Sequence, residues 1–422
     1  MASDGRLIQL TELLSTKVKA VHIYIRENNL PDPSFDASYP PVFDLPLDVD
    51  VARKAALEAL DELRSHLLGP LGTISESVTS RTSLVSLHAI THFNMANVVP
   101  VGSTCTIPEI AEKCNIHPND AETIIRHGLT YRLFKQQPDG SIAHSAATRA
   151  ITTAPHFQGW VTHALGTMWK TTPFIVSAME KWPGSQEINE TAFNLAHGTV
   201  EPFFKAMSQD KTRVQNFSEA MKFWMSNPTM KPEFAIDGYA WDSHAQGTVV
   251  DVGGSHGIIA LKLAERYPAM KIIVQDRPEV VASAPKTANN QVEFQSHDFF
   301  KEQPIKGADV YFYRYIFHSW SDKYCLAILR ALVPALKDGS KVLIMDHIVP
   351  ESGALSPYQE RPFRAFDIGM KEAFNSKERS ESDWRKMLGN VDERFRMADI
   401  LRSEGSQLSI IVVECGGGGT TS

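Results

Sequence analysis

The sequence is poor in cysteine, has no long uncharged apolar run and carries no excess of basic residues. Its four cysteines, Cys105, Cys114, Cys325 and Cys415, are too few and too scattered for a disulfide framework. None of them forms the Cys-x-x-Cys pair that is typical of zinc and redox sites. We therefore expect a reducing, cytoplasmic setting and no metal site.

The missing apolar run and the acidic balance exclude two further classes of protein. No segment approaches the roughly 18 apolar residues that cross a bilayer, and the N-terminal segment interleaves charged with apolar side chains, unlike a signal peptide. Lys and Arg number 42 against 49 Asp and Glu, a formal net charge of −7. Such a chain has no general attraction to a phosphate backbone. Neither a membrane nor a nucleic acid is an expected partner.

What is present is the composition of a folded globular protein, with 43% hydrophobic and 22% charged residues in 422. Apolar spacing predicts two N-terminal helices, over Leu7–Ile25 and Val51–Leu68, joined by a linker rich in proline and aspartate. Arms of this kind often pack on a partner subunit. A third helix is predicted over Thr82–Val99.

The next segment has the order of a winged helix-turn-helix. Thr106-Ile-Pro-Glu109 predicts a capping box that opens a short helix ending at Cys114. A helix over Asp120–Leu133 and a hairpin around a Pro-Asp-Gly turn follow. The second helix offers Arg126 and Arg132 against two acidic residues, which is no basic face. A subunit interface or a substrate lid is therefore favoured over DNA binding.

Residues 156–227 are helical in pattern and unusually aromatic. Such density suits the wall of an apolar pocket, and ordinary core packing explains any single ring equally well. Beyond Gly247 short β-rich runs alternate with helices, which predicts an α/β fold with a doubly wound parallel sheet. The predicted strands are Thr248–Val252, Lys271–Gln275, Val292–Gln295, Ala308–Tyr313, Ser340–Asp346 and Leu408–Glu414.

The most informative segment is Val249-Val-Asp-Val-Gly-Gly-Ser-His-Gly-Ile258, a strand entering a glycine-rich turn and then a helix. Gly253, Gly254 and Gly257 allow a ligand to approach the backbone closely. Asp276, at the end of the next strand, can accept hydrogen bonds from both hydroxyls of a ribose. The pattern predicts a nucleoside-binding βαβ unit.

The charge at this turn indicates which nucleoside binds. A dinucleotide would place its pyrophosphate at the helix N-terminus, where a nearby carboxylate is repulsive. Asp251 lies at the mouth of the turn and suits the ammonium group of a methionine moiety. S-adenosylmethionine, which carries no phosphate, therefore fits better than NAD.

Several segments together resemble the plant-caffeate-type O-methyltransferase family, and more closely its fungal secondary-metabolite branch. They are VVDVGGSHG, VQDRP, SHDFF, YRYIFHSWSD, NSKERSESDW and RHGLTYRLF, and the resemblance covers nearly the whole chain. It implies a homodimer with interlocked N-terminal helices, and a small-molecule acceptor bound between the N-terminal region and a Rossmann-like S-adenosylmethionine methyltransferase domain. The resulting division is a dimerisation arm (1–80), a winged-helix-like domain (81–153), a helical connector and pocket wall (154–235), the catalytic domain (236–415) and a flexible tail (416–422).

The resemblance also implies roles for individual residues. His318 falls at the general base, and Asp346 and Glu378 fall at two acidic positions that orient it; a core histidine and surface or capping carboxylates are the alternatives. Histidine suits this role, because a phenol is a poor nucleophile until a base takes its proton. The cofactor-binding positions are Asp251, Gly253, Gly254 and Gly257 at the turn, Asp276 and Arg277 at the ribose, Asp298 and Phe299 at the adenine, and Arg314 nearby.

Some positions depart from the family pattern. Ser319 replaces the aspartate that usually follows the base, Asp346 replaces a longer glutamate, and His347 adds a titratable ring. Lys371, beside Met370, occupies a usually apolar site at the acceptor pocket, where a lysine needs a partner or a depressed pKa.

Three hypotheses about function follow. The first is methylation of a hydroxyl of a small aromatic or polyketide-type secondary metabolite. The second is a pericyclic reaction or dehydration in which S-adenosylmethionine is bound but not consumed, with His163, His297 or Lys371 donating a hydrogen bond to the substrate. The third is a non-catalytic binding protein, which predicts erosion of Asp251, Gly253, Asp276 and His318, and all four are present.

Overall fold

The computed structural model describes residues 5–285 and 291–416. The chain forms two compact units, Met1–Lys170 with Asp210–Phe223, and Thr171–Gln209 with Trp224–Ser422. This division is coarser than the five predicted segments, which stay a prediction. Apart from Gly416, the predicted tail lies outside the described residues.

Helices make up most of the N-terminal half. In chain order they are α1 (Arg6–Glu27), α2 (Leu47–Thr79), α3 (Arg81–His92), α4 (Met95–Val98), α5 (Ile107–Cys114), α6 (Pro118–Thr130), α7 (Ala146–Thr153), α8 (Phe157–His163), a π-helical segment (Ala164–Met168), α9 (Trp169–Thr171), α10 (Ile175–Lys181), α11 (Ala192–His197), α12 (Phe203–Ser208), α13 (Lys211–Met225) and α14 (Glu233–Asp237). Among the described residues, no helix combines the length and the apolar character needed to cross a membrane.

The first unit contains the predicted arm and the predicted helix-helix-hairpin order. Helix α2 is longer than predicted at both ends and is interrupted at Gly69, whose φ of 67° leaves the helical range before Pro70. The capping box at Thr106 and Glu109 is present and opens α5. After α6, strands β1 (Lys135–Gln136) and β2 (Ile142–Ala143) pair in antiparallel fashion. The predicted order of two helices and a hairpin is therefore observed, and its assignment to a winged-helix domain stays a prediction.

The second unit is built on a seven-stranded sheet of order β5-β4-β3-β6-β7-β9-β8. Neighbouring residues of β3 alternate between two apolar cores, since Val249 packs in one and Val250 in the other, so helices cover both faces. The strands are β3 (Thr248–Val252), β4 (Lys271–Asp276), β5 (Val292–Ser296), β6 (Val310–Arg314), β7 (Lys341–Asp346), β8 (Phe395–Arg402) and β9 (Ser409–Cys415), with helices α15 (Ile258–Arg266), α16 (Pro278–Ala282), α17 (Asp322–Leu332), α18 (Pro357–Phe374) and α19 (Glu381–Gly389).

The prediction of a parallel sheet is confirmed for β3 to β7 and wrong for the last two strands. Strand β9 runs antiparallel to both β7 and β8. The physical reason is the short connection between β8 and β9, which permits only a hairpin. Strand β8 was not predicted, because its residues are mostly half-buried or exposed and a bulge between Met397 and Asp399 breaks the alternation of side chains.

The strand order of the sheet indicates where a ligand binds. Strand β3 lies between β4 and β6, so the direction of strand succession reverses beside it. In open α/β sheets ligands bind outside the carboxyl ends of the strands at such a reversal. Val252, Asp276, Arg314 and Asp346 end β3, β4, β6 and β7 at this edge.

Candidate active site

The glycine-rich turn after β3 has no room for side chains. Gly253 and Gly257 have φ angles of 75° and 72°, in the left-handed region that favours glycine. A Cβ on Gly253 would lie 2.5 Å from Cδ1 of Ile316, and one on Gly254 would lie 2.4 Å from Oδ2 of Asp251. The turn therefore presents main chain without side chains at these positions, which allows a ligand to approach the backbone closely.

Asp276 ties this turn to the end of β4. Its carboxylate accepts hydrogen bonds from the backbone N–H of Ser255, at 2.9 Å, and of Arg277, at 2.8 Å. A carboxylate has about four acceptor positions, so capacity remains for the hydroxyls of a ribose. The predicted position of Asp276 beside the turn is thus what the structure shows.

Asp251 and Arg314 lie deeper in the site, and their charges are of opposite sign. Asp251 is 4% exposed, and burial raises the pKa of its carboxyl to about 7, while the charge of Arg314 acts to lower that pKa. Arg314 donates from Nη2 to the carbonyl of Met230 at 2.8 Å. Its buried Nε has no hydrogen-bond partner among the described residues. This end of the site holds a carboxyl group that a bound cation would stabilise as the carboxylate.

The other predicted cofactor residues differ in surroundings. Arg277 is exposed and pairs with Glu279 at 3.1 Å. Asp298 is exposed and accepts from the backbone N–H of Phe300 at 3.1 Å. The ring of Phe299 meets that of Trp320 edge to face, with 5.7 Å between centroids. An aromatic wall and a carboxylate thus lie beyond the ribose position.

His318, Asp346 and Glu378 come together although they are far apart in sequence. Nδ1 of His318 lies 3.3 Å from Oε1 of Glu378. Asp346 accepts instead from the backbone N–H of His318, at 3.2 Å, so it positions the main chain and not the ring. All three are buried, and one potential ligand atom from each lies within 4.8 Å of the others. This spacing suits a proton-transfer group, and the same three groups could also hold a metal ion.

Burial controls the charge of this cluster. Burial lowers the pKa of His318, whereas the charge of Asp346 acts to raise that pKa. It raises the pKa of both carboxyl groups, Asp346 and Glu378. A neutral imidazole next to two acids of raised pKa can take up a proton and then be stabilised as an imidazolium.

Nε2, the other ring nitrogen of His318, lies 3.2 Å from the hydroxyl of Ser319. The rings of Tyr315 and Phe366 flank the imidazole, with centroids 4.0 and 6.1 Å away, and Phe366 is nearly parallel to it. Aromatic rings therefore border the imidazole on two sides.

Two residues that sequence reasoning missed fix the loop that carries His318. Arg379 is 2% exposed and donates to the carbonyls of Phe317, at 2.9 Å, and Trp320, at 2.7 Å. Ser376 donates to the carbonyls of His318 and Trp320. The one available signal was that Arg379 directly follows Glu378 in a Lys-Glu-Arg run, which also reads as an ordinary charged surface.

The candidate acceptor residues fall in both units. In the second, Lys371 donates to Oδ1 of Asn375 at 2.7 Å and burial lowers its pKa, so it has both the partner and the shift that were expected. Met370 precedes it on α18 and is half-buried. His297, after β5, donates its backbone N–H to the carbonyl of Asp276 at 2.9 Å.

His163 belongs to the first unit. It is 8% exposed, burial lowers its pKa to about 4, and its Nδ1 has no hydrogen-bond partner among the described residues. It ends α8 where the π-helical segment Ala164–Met168 begins. Segments of this kind are frequent at functional sites.

Comparison with known proteins identifies relatives of this chain. Residues 183–392 match the model of the O-methyltransferase domain. The chain is 32% identical to the chlorophenol O-methyltransferase of Trichoderma longibrachiatum over 424 residues, covering 97% of this chain and 90% of that one.

Two solved structures share the fold. LepI in complex with S-adenosylmethionine has a TM-score of 0.70 and 20% identity, over 96% of this chain and 99% of that one. A structure described as a pericyclic reaction enzyme has a TM-score of 0.68 and 22% identity, over 86% and 94%. The cofactor is S-adenosylmethionine, and the bare glycine turn with Asp251 and Asp276 fits it. The chain belongs to the O-methyltransferase family and is an S-adenosylmethionine-dependent O-methyltransferase.

Proposed function

We propose that the protein methylates a hydroxyl group of a small aromatic or polyketide-type secondary metabolite, with His318 as the general base. The observation that carries this proposal is the arrangement around His318. Its Nδ1 lies 3.3 Å from the carboxyl of Glu378 and its Nε2 lies 3.2 Å from the hydroxyl of Ser319, so an acceptor hydroxyl that displaces Ser319 would meet Nε2.

The chemistry follows from these contacts. A phenol has a pKa near 10 and reacts slowly as the neutral hydroxyl, so a base that takes its proton accelerates methyl transfer. Because burial lowers the pKa of His318, the imidazole is neutral at pH 7 and can accept that proton. Glu378 and Asp346 then stabilise the imidazolium. S-adenosylmethionine supplies the methyl group, bound to a sulfonium centre.

Mass spectrometry tests this function. Purified protein is incubated with a fungal metabolite extract and methyl-labelled S-adenosylmethionine, beside a boiled control. A product that gains the labelled methyl group, with release of S-adenosylhomocysteine, would support the proposal and identify the acceptor. Conversion without any labelled product would contradict it.

A pericyclic reaction or a dehydration is the second candidate, and His163 favours it. This histidine is buried and kept neutral, and its Nδ1 has no partner among the described residues, so it can hydrogen-bond a polar group of a bound substrate. A structural neighbour is described as a pericyclic reaction enzyme. In the same experiment, a product of unchanged mass, or one lighter by water, formed without consumption of the cofactor would support this reaction.

Binding of S-adenosylmethionine is expected to release a proton near neutral pH. Without a ligand the pKa of Asp251 is about 7. The ammonium group of the cofactor favours the carboxylate and lowers that pKa, so about half a proton leaves at pH 7 and affinity weakens as the pH falls below 7. Calorimetry in buffers of different ionisation enthalpy measures the release.

Asp251→Asn is the matched variant for this prediction, since it has nearly the same shape and cannot titrate. It should bind the cofactor more weakly and without proton release. Binding by the unchanged protein that is independent of buffer and of pH between about 6 and 7 would show that Asp251 does not meet the ammonium group.

The N-terminal arm is proposed to pack on a second copy of the chain. After the interruption at Gly69, helix α2 exposes Leu71, Ile74 and Val78, with exposed fractions of 80, 63 and 54%. Their spacing of three and four residues places them on one face, which is typical of a helix that buries an apolar stripe. A partner helix would remove this stripe from water.

Leu71→Glu is expected to convert a dimer into a monomer, because a charge would be buried in the apolar contact. Light scattering coupled to size-exclusion chromatography measures the mass. Ser77→Glu introduces the same charge away from the stripe and should leave the dimer intact. A monomeric unchanged protein, or a dimeric Leu71→Glu variant, would contradict the proposed interface.

A further inference from the structure

Glu372 is a buried acid that the proposed reaction does not use. It lies near the end of α18 and is 5% exposed. One carboxylate oxygen, Oε2, accepts from the hydroxyl of Thr172 at 3.0 Å, and Oε1 is not among the fully buried side-chain atoms that lack a partner. Burial raises its pKa to about 7. A largely buried carboxyl with one oxygen still accessible can accept a hydrogen bond from a ligand that reaches it.

The same helix connects Glu372 to the base. Phe366 of α18 stacks on the imidazole of His318. Residues 366, 369 and 372 are three apart, so they form one row along the helix, and the row spans about 9 Å at 1.5 Å per residue. The middle position is Gly369, and no atom of the described residues lies within 4 Å of the point where a Cβ would be. Open space therefore adjoins the middle of this row.

We propose that Glu372 binds a basic nitrogen of the acceptor, at the other end of this row from the hydroxyl that His318 deprotonates. This inference rests on the proposed function, because it takes the acceptor to lie beside His318. It names the class of the acceptor, which is a hydroxylated aromatic compound with a protonated amine.

The choice of an amine follows from the charge. A neutral donor would complete the hydrogen bonds of Glu372 without compensating the cost of a buried carboxylate. An ammonium group neutralises that carboxylate and forms a charge-assisted hydrogen bond, which is about twice as strong as a neutral one. Thr172 already holds Oε2, so Oε1 is the atom available to the amine.

Two matched probes test the proposal without the natural acceptor. They are 4-(3-aminopropyl)phenol and its N-acetyl derivative, which has nearly the same shape without the charge. Their affinities are measured by calorimetry on the full chain saturated with S-adenosylhomocysteine. We expect the amine to bind about tenfold more tightly than the amide, and Glu372→Gln to abolish this preference while keeping the affinity for the amide.

Two further variants distinguish an effect of the row formed by residues 366, 369 and 372 from a general effect of mutating α18. Glu360→Gln removes a charge on the same helix that pairs with Arg364 at the surface, and it should keep the preference for the amine. Gly369→Leu should weaken both probes, because its side chain fills the open space while leucine suits a helix.

Equal affinity of the unchanged protein for both probes, or binding of neither at millimolar concentration, would overturn the proposal. So would a Glu372→Gln variant that still prefers the amine. The readout is binding and not methyl transfer. An intact preference without any methylated product would therefore refute the proposed reaction and leave this subsite standing.

Discussion

Replacing His318 by alanine is expected to lower kcat about 10²- to 10⁴-fold, the usual contribution of a general base. Nδ1 of this residue faces Glu378, and its Nε2, beside the hydroxyl of Ser319, is the nitrogen proposed to accept the proton of the acceptor. Affinity for S-adenosylmethionine should stay within about twofold, because none of the proposed cofactor contacts involves the imidazole. Single-turnover kinetics together with cofactor titration measure the two effects separately.

A pH profile gives this prediction a second readout. Because burial lowers the pKa of His318, kcat/KM should be constant near neutral pH and fall at acid pH with a midpoint below about 6.5. His244→Ala removes another half-buried ring of the same unit, one that stacks on Tyr239, and should keep kcat. Parallel loss of turnover and cofactor affinity in His318→Ala would show a structural residue and not a base.

Arg379→Met is expected to destabilise the protein by about 1–3 kcal/mol, the usual cost of removing hydrogen bonds made by a buried charged group. The guanidinium donates to two main-chain carbonyls of the loop that carries His318 and to the carboxylate of Asp322. Methionine can fill the volume but removes one donor from each of those carbonyls, which keep the hydrogen bonds from the backbone N–H of Trp320 and the hydroxyl of Ser376. Denaturation in urea, followed by circular dichroism, measures the loss of free energy of unfolding.

Arg385→Met is the matched control, because Arg385 lies on α19 at the surface and pairs with Glu381. Surface ion pairs contribute about 0–1 kcal/mol, so its effect should be small. The Arg379 variant should also lose turnover under conditions where it stays folded, since the loop no longer fixes the base. Equal stability of the two variants would refute the role assigned to Arg379.

Much of the fold was predictable because its strands are buried on both faces. Strands β3, β4 and β7 are almost continuously buried, and such strands leave a plain apolar run in the sequence. Strand β8 left no such signal, since it lies at the edge of the sheet and contains a bulge. The antiparallel direction of β9 depended on that unseen neighbour, so it could not be predicted either.

The same distinction applies to the site. Asp276 follows a buried strand at a fixed distance from a glycine turn, and that spacing is visible in the sequence. Arg379 and Ser376 act on main-chain carbonyls of residues far away in the chain. Every residue has a main-chain carbonyl, so the pattern of side chains in the sequence does not indicate such contacts. Glu372 was missed for a related reason, because its burial depends on packing around α18.

The hydroxyl of Ser319 occupies the position beside Nε2 where the proposed mechanism requires the hydroxyl of the acceptor. Binding is then an exchange of one hydroxyl for another, with little net change in hydrogen bonding at this atom. The base consequently contributes almost nothing to affinity for the acceptor in the ground state. Selection among hydroxylated compounds must come from their remaining surface, and the histidine distinguishes them only once the proton begins to move.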